Sequence, residues 1–140
     1  MTTLRSDSAG EASPIETPTM LAELAVCEQA CRSEPSERAL AEMFNSLCEK
    51  YPQWHVPHRV LGLHYLPTNP DKALRELQAA EALAPNDLQT LLALVRVYIQ
   101  LRHYALATNK LQVARQIALG DNAEMAELST ELAKKSNDLF

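Results

Sequence analysis

The sequence has few aromatic residues and few glycines, and it has no long apolar run. Aromatic residues make up 5% of the 140 residues, and there are 3 glycines. No run of about 18 apolar residues occurs, so no membrane span is predicted. The first apolar run starts at Met20 and is interrupted by Glu23 and Glu28, which does not resemble a secretory signal. What remains is a chain rich in Ala, Leu and Glu, a composition typical of helices.

Cysteine usage favours a reducing compartment. The chain has 3 cysteines, an odd number that leaves at least one thiol unpaired within one copy. With no secretory signal, this predicts a cytoplasmic location. Cys27 and Cys31 lie four residues apart on one predicted helix face, and Cys48 lies on the next helix. Buried structural thiols are the preferred interpretation, because a redox switch needs a lowered thiol pKa and Glu28 beside these cysteines opposes that.

The charge distribution excludes a general nucleic-acid surface. The formal net charge is −5, whereas nucleic-acid binding needs a basic surface. Residues 1–54 carry four basic and nine acidic side chains, while residues 55–121 carry seven and five. The mildly basic middle fits either an acidic partner or ordinary scatter of surface charge.

No pattern in the sequence indicates catalysis or metal binding. His55 and His58 share a predicted helix face, but no cysteine or carboxylate completes a recognised metal spacing around them. A packing or surface role is preferred for the histidines. Neither a glycine-rich phosphate loop nor a serine or cysteine nucleophile signature is present. We therefore expect a protein that is not an enzyme, with no catalytic residue, no metal and no cofactor.

Proline and capping residues predict seven helices after a disordered arm, residues 1–17, which is polar and has no apolar period. Thr17-Pro18 and Asn69-Pro70 are typical helix starts, and Pro35 and Pro57 are expected in first turns. Gly120 is the predicted residue after the sixth helix. Asp121 with Glu124 resembles a capping box before the seventh.

A small–large–small pattern recurs at a fixed distance. Ala73, Leu77 and Ala80 are followed 34 residues later by Ala107, Leu111 and Ala114. Upstream of each triplet, Leu61, Gly62 and Tyr65 return 33 residues later as Leu94, Val95 and Tyr98. Small residues let paired helices approach closely, so each recurrence predicts another stacked helix pair, with Ala80 and Ala114 buried between helices.

These residues resemble the tetratricopeptide repeat, a 34-residue helix–turn–helix unit. The resemblance implies an all-α fold of antiparallel helix pairs in a short right-handed superhelix, within one domain over residues 18–140. It divides that domain into a degenerate repeat 18–54, repeats 55–87 and 88–121, and a capping helix 122–137. Leu40 stands where the first unit should have a small residue, so its helix pair is expected to be splayed.

The resemblance also implies a function, because the family binds peptides or helices in a concave groove lined by the first helix of each unit. We therefore expect an adaptor or small chaperone whose protein partner is a helix or peptide, with acidic groups favoured. A self-assembling scaffold that forms homo-oligomers through its repeat ends is the alternative. The positions expected to line the groove are Gln29, Arg32, Arg59, Leu63, Leu66, Leu92, Arg96, Ile99 and Gln100.

The arginines of this set are expected to give the groove its selectivity. Arg59 and Arg96 lie on the first helices of successive units and are expected to point into one groove with Leu63, Leu92 and Ile99. Paired guanidinium groups would select a ligand that carries carboxylates. Reversing both charges should weaken partner binding strongly and leave folding nearly intact, since exposed charges matter little to stability.

Overall fold

Seven α-helices follow one another in the computed structural model, which describes residues 14–120 and 122–137. Within those ranges there is no strand, so the predicted all-α fold with seven helices is confirmed. The helices are α1 (Pro18–Arg32), α2 (Glu37–Lys50), α3 (Val56–Tyr65), α4 (Pro70–Leu83), α5 (Leu88–Gln100), α6 (Tyr104–Ala118) and α7 (Ala123–Asn137).

The starts of α1 and α4 follow the predicted pattern. The Thr17 hydroxyl accepts a hydrogen bond from the backbone N–H of Met20 at 3.2 Å, and Pro18 occupies the first helical position. Asn69 caps α4 in the same way, by accepting from the N–H of Lys72 at 3.2 Å. In both helices proline costs no hydrogen bond, because the first N–H groups have no partner inside the helix.

The start of α2 and the arm before α1 differ in detail from the prediction. Ser36 caps α2 by accepting from the N–H of Ala39, so Pro35 lies before the helix and not in its first turn. Residues 1–13 of the predicted arm lie outside the described residues. At its end, the Glu16 carboxylate accepts a hydrogen bond of 2.9 Å from the indole N–H of Trp54, which is buried.

The junction of α6 and α7 also corrects the sequence-based assignment. The left-handed residue after α6 is Leu119, with φ 59°, and Gly120 follows it with φ 136°. Asn122, one residue after the predicted Asp121, caps α7 by accepting from the N–H of Met125 at 2.9 Å. Asp121 itself lies outside the described residues. The predicted cap of α7 is one residue early because Asp121 with Glu124 has the spacing of a capping box, whereas Gly120 has the positive φ expected of a residue that follows a helix.

The helices stack so that the odd-numbered ones form a row. Helices α1, α3, α5 and α7 each contact the next member of this row, and α3 with α4 and α5 with α6 form the most extensive pairs. The α1–α2 pair is less closely packed than these two. Leu40, buried at 1% exposure, lies in this looser pair, which agrees with the expected splaying.

The recurring small residues lie where helices approach most closely. Ala73, Leu77 and Ala80 are all 0% exposed, and so are Ala107 and Ala114. The predicted burial of Ala80 and Ala114 is therefore confirmed. A Cβ atom on Gly62 would lie 2.7 Å from Leu77 Cγ, so α3 and α4 meet at a distance that only glycine allows.

Replacing Ala80 with leucine should destabilise the fold by overpacking. We expect Ala80→Leu to lower the free energy of unfolding by about 1–3 kcal/mol, because no space exists for three further carbon atoms. The matched control is Ala82→Leu on the exposed side of α4, where the change should be within about 0.5 kcal/mol. Urea unfolding of the three proteins measures this. Equal midpoints for the two variants would contradict the assigned packing.

Candidate functional site

An open groove lies between α1 and α3, the first two helices of the odd-numbered row. Its volume is about 370 Å³. Each helix contributes three residues with the spacing i, i+3, i+4, which places them on one face. The residues that line this α1–α3 groove are Glu28, Cys31, Arg32, Val60, Leu63 and His64.

Part of the predicted binding strip lies in or beside this groove. Arg32 and Leu63 line it, and the Leu63 side chain is 42% exposed. Gln29 accepts a hydrogen bond from Arg32 Nη1 at 3.1 Å, which places it next to the groove. Leu66 is half-buried, three residues beyond Leu63 on the same helix face. The structure therefore brings Gln29, Arg32 and Leu63 together at this groove. Arg59 on α3, by contrast, does not line it.

The predicted residues of α5 have a different environment. Leu92 and Ile99 are each 3% exposed and belong to the hydrophobic core. Gln100 is exposed at the end of α5. The apolar surface of the expected groove is consequently restricted to its α1–α3 half. The sequence pattern did not reveal this, because a residue that lines a groove and a residue that packs a core share the same helix spacing.

Both predicted groove arginines form ion pairs between neighbouring helices of the row. Arg59 on α3 donates to Asp87, just before α5, at 2.9 Å, and the two side chains are 17% and 22% exposed. Arg96 on α5 donates to Glu124 on α7. These contacts give the arginines a role in holding the helices together. Arg59 is therefore not an exposed charge, and reversing it should destabilise the fold because Asp87 would face a like charge.

Asp87 is the centre of the most connected polar cluster in the described residues. Its carboxylate accepts from Arg59, from the N–H of Thr90 at 3.1 Å and from the Thr90 hydroxyl at 2.6 Å. His55 Nε2 lies 3.4 Å from the same oxygen. Burial raises the pKa of Asp87, but the hydrogen bonds from His55, Thr90 and Arg59 outweigh it and hold the pKa well below its ordinary value.

A second polar cluster, which the sequence patterns did not reveal, joins three helices. Cys48 Sγ on α2 lies 3.6 Å from Nε2 of His58 on α3, and Nδ1 of the same ring lies 3.0 Å from Glu76 Oε1 on α4. Hydrogen bonding to Cys48 and to Glu76, against the effect of burial, raises the pKa of His58 to about 10. No motif search finds this cluster, because its members lie 10 and 18 residues apart on separate helices.

The other two thiols fit the structural role expected of them. Cys27 is buried, and Cys31 is half-buried at the α1–α3 groove. Burial is the largest cause of the raised pKa of both thiols. A raised pKa keeps a thiol protonated and unreactive near neutral pH.

The described residues contain neither a metal-binding cluster nor a membrane-spanning helix. Residues 14–120 and 122–137 contain no group of three or more His, Cys, Asp or Glu side chains placed to hold a metal ion. No helix in the same ranges has the length and apolar character needed to cross a bilayer.

Comparison with known proteins adds no relative. No protein-family model matches the sequence, and no curated protein shows significant similarity to it. The tetratricopeptide resemblance therefore stays a proposal that rests on this chain's own residues.

Removing the charge of Asp87 should destabilise the protein in a pH-dependent way. Asp87→Asn keeps a capping side chain but loses the charged hydrogen bonds, so we expect a loss of about 1–3 kcal/mol in the free energy of unfolding near neutral pH. A lowered folded-state pKa gives stability that is complete above the ordinary aspartate range and is lost as the pH falls through the folded pKa.

The difference between the two proteins should therefore shrink below about pH 4. Urea unfolding across this range measures it. Asp71→Asn, at an exposed carboxylate in the first turn of α4, is the matched control and should change stability by about 0.5 kcal/mol or less. An Asp87→Asn effect that does not depend on pH would contradict the proposed charge network.

Proposed function

We propose that this protein is a protein-interaction module that binds a helix or an extended peptide of a partner protein in the α1–α3 groove. The observation that carries the proposal is the exposed Leu63 side chain in an open groove between two helices of the odd-numbered row. Grooves between helices are a recurring way to bind amphipathic segments, which place apolar side chains inside and polar ones at the rim.

The groove has both apolar and charged binding groups. Val60 and Leu63 offer apolar surface to a partner's Leu, Ile or Val side chains. Arg32, held by Gln29, supplies a guanidinium at the edge, which pairs well with a carboxylate. Glu28 lies in the same groove and disfavours a ligand that is acidic along its whole length. The ligand class that fits best is an amphipathic peptide with a single acidic group near its apolar residues.

The tetratricopeptide resemblance supports the same proposal. In that family the first helix of each unit lines the binding surface, and here the groove lies between the first helices of the first two assigned units. An adaptor and a small chaperone both use such a surface, and the groove does not distinguish between them. The enzymatic alternative has no support from the α1–α3 groove, which offers apolar and ionic contacts for binding.

A displayed library of random peptides tests the groove directly. We expect selection to enrich peptides with apolar residues and one Asp or Glu. Leu63→Glu should weaken the selected peptides at least about tenfold, the equivalent of 1.4 kcal/mol. The matched control is Leu106→Glu on α6, where a leucine of similar exposure, 49%, lies outside the groove. Peptides that bind both variants as tightly as the parent would contradict the proposal.

Arg32 gives a second, electrostatic test of the same groove. Arg32→Glu should weaken a selected peptide that contains Asp or Glu about tenfold, and it should have little effect on the Asn or Gln version of that peptide. Arg75→Glu, at an exposed arginine of α4, is the control. If Arg32→Glu affects both peptide versions equally, the guanidinium does not contact the peptide's carboxylate.

A scaffold that self-associates is the second candidate, and one surface favours it. Val26 on α1 is 60% exposed. A cavity of about 250 Å³ lies beside Val26 in the loosely packed α1–α2 pair. Its lining residues are Glu23, Val26, Cys27, Met43, Ser46, Leu47 and Lys50. A second copy of the chain could cover this apolar surface at the first end of the described stack.

Light scattering after size exclusion separates the two candidates. If this surface joins copies, the parent should form dimers or larger species at high concentration, and Val26→Glu should shift it to the monomer. Leu106→Glu is again the control and should not alter the distribution. If the parent protein is monomeric at every concentration, the self-associating scaffold is contradicted and the interaction module is the remaining candidate.

A further inference from the structure

Cys48, His58 and Glu76 form a hydrogen-bonded relay that spans three helices. The sulfur, the imidazole ring and the carboxylate come from α2, α3 and α4, with separations of 3.6 Å and 3.0 Å. None of the three side chains lines the α1–α3 groove. His58 and Glu76 are 24% and 30% exposed, and Cys48 is half-buried, so small molecules in solution can reach the cluster.

The geometry sets the hydrogen-bonding roles within the relay. Glu76 accepts from Nδ1–H of His58, which fixes the ring orientation and turns Nε2 towards the sulfur. A protonated imidazole has two N–H donors, and here each of its nitrogens faces an acceptor. A positively charged donor next to sulfur stabilises negative charge there, and a thiolate is the nucleophilic form of cysteine. A carboxylate that orients an imidazole beside a thiol is a general arrangement for activating a nucleophile.

The environments of the other two cysteines, Cys27 and Cys31, differ from that of Cys48. Burial raises the pKa of Cys27 and of Cys31, which keeps these thiols protonated near neutral pH. Only Cys48 has a histidine hydrogen-bond partner among the contacts of the described residues. Cys27 and Cys31 therefore serve as internal references for the reactivity of Cys48.

We propose that Cys48 is a reactive thiol that undergoes exchange with low-molecular-weight disulfides, with His58 as its proton partner and Glu76 as the residue that positions His58. The Cys48 thiol passes its proton to Nε2 of His58, and the resulting thiolate attacks one sulfur of the small disulfide, so that an S–S bond forms to the protein and the original S–S bond breaks. The departing sulfur leaves as a thiolate and takes the proton that His58 holds, so it is released as a thiol. Cys48 is oxidised and the small disulfide is reduced, with no further reactant.

The first experiment measures the reactivity of each cysteine separately. The reduced full chain is treated with iodoacetamide near neutral pH, and peptide mapping follows the modification of each thiol over time. We expect Cys48 to react at least about tenfold faster than Cys27 and Cys31. Equal rates at the three positions, or a slower rate at Cys48, would overturn the proposal.

Variants then test whether the relay causes this reactivity. His58→Gln should slow the modification of Cys48 about tenfold, the effect of losing one charge-assisted hydrogen bond, without a matching change at Cys27. The matched control is His103→Gln, at an exposed histidine just before α6 that lies outside both the groove and the relay. Circular dichroism at the reaction temperature establishes that the variants are folded. An unchanged Cys48 rate in folded His58→Gln protein would overturn the role of His58.

The positioning role of Glu76 is tested by a measurement that a loss of stability alone would not change. Nuclear magnetic resonance of the His58 ring nitrogens should show both protonated near neutral pH in the parent. In Glu76→Gln the ring should lose this doubly protonated state at a lower pH, and the Cys48 rate should fall. Glu42→Gln on α2, where the carboxylate is exposed and pairs with Arg38, is the control. Identical ring signals in Glu76→Gln and the parent would overturn the positioning role.

Oxidised glutathione is the probe for the exchange itself. Incubation with the reduced protein should add one glutathione unit at Cys48, detected by mass spectrometry of the mapped peptide and removed by dithiothreitol. Cys48→Ser should remain unmodified, while Cys27→Ser should react as the parent does. Modification of Cys27 or Cys31 in preference to Cys48 would overturn the assignment of the site.

Discussion

The close approach of α3 to α4 is the constraint on which the rest of the structure depends. Gly62 has no room for a Cβ atom, because Leu77 fills that space at 2.7 Å. Ala73, 0% exposed, provides a second small residue at the same contact. With the two backbones this close, Leu77 is fully buried between α3 and α4, and α5 packs against both helices of this pair.

Ion pairs then link helices that are two positions apart in the chain. On the odd-numbered helices, Arg59 reaches Asp87 and Arg96 reaches Glu124. Among the even-numbered helices, Lys72 on α4 pairs with Glu37 on α2, and Lys110 on α6 pairs with Glu81 on α4. The exposed pairs contribute little to stability, whereas the half-buried Arg59–Asp87 pair contributes more because it also caps α5. Packing thus holds successive helices together, and these ion pairs add contacts between alternate ones.

The helical fold and the burial of the recurring small residues could be predicted from the sequence, because small residues return at a fixed distance along the chain. Ala80 and Ala114 are small because helices pack closely at these positions. The prolines after Thr17 and Asn69 indicated helix starts, because proline is tolerated at the first helical position. Leu92 and Ile99 could not be placed in the same way. Core and groove residues both follow a helix period, and which of them a neighbour covers depends on contacts between helices distant in sequence. The partners of Arg59 and His58 depend on such contacts as well.

Helix α3 joins the packing, the groove and the thiol cluster within ten residues. His58, Leu61, Gly62 and Tyr65 form one stripe with the spacing i, i+3, i+4, i+7, and the contacts of Gly62 and His58 direct this stripe towards α4. Val60, Leu63 and His64 form a second stripe that faces the α1–α3 groove. His64 lies about 240° around the helix from His58, so the two histidines serve different surfaces. A ligand in the groove and a modification at Cys48 would therefore contact opposite sides of α3. The contact between Gly62 and Leu77 sets the position of this short helix against α4.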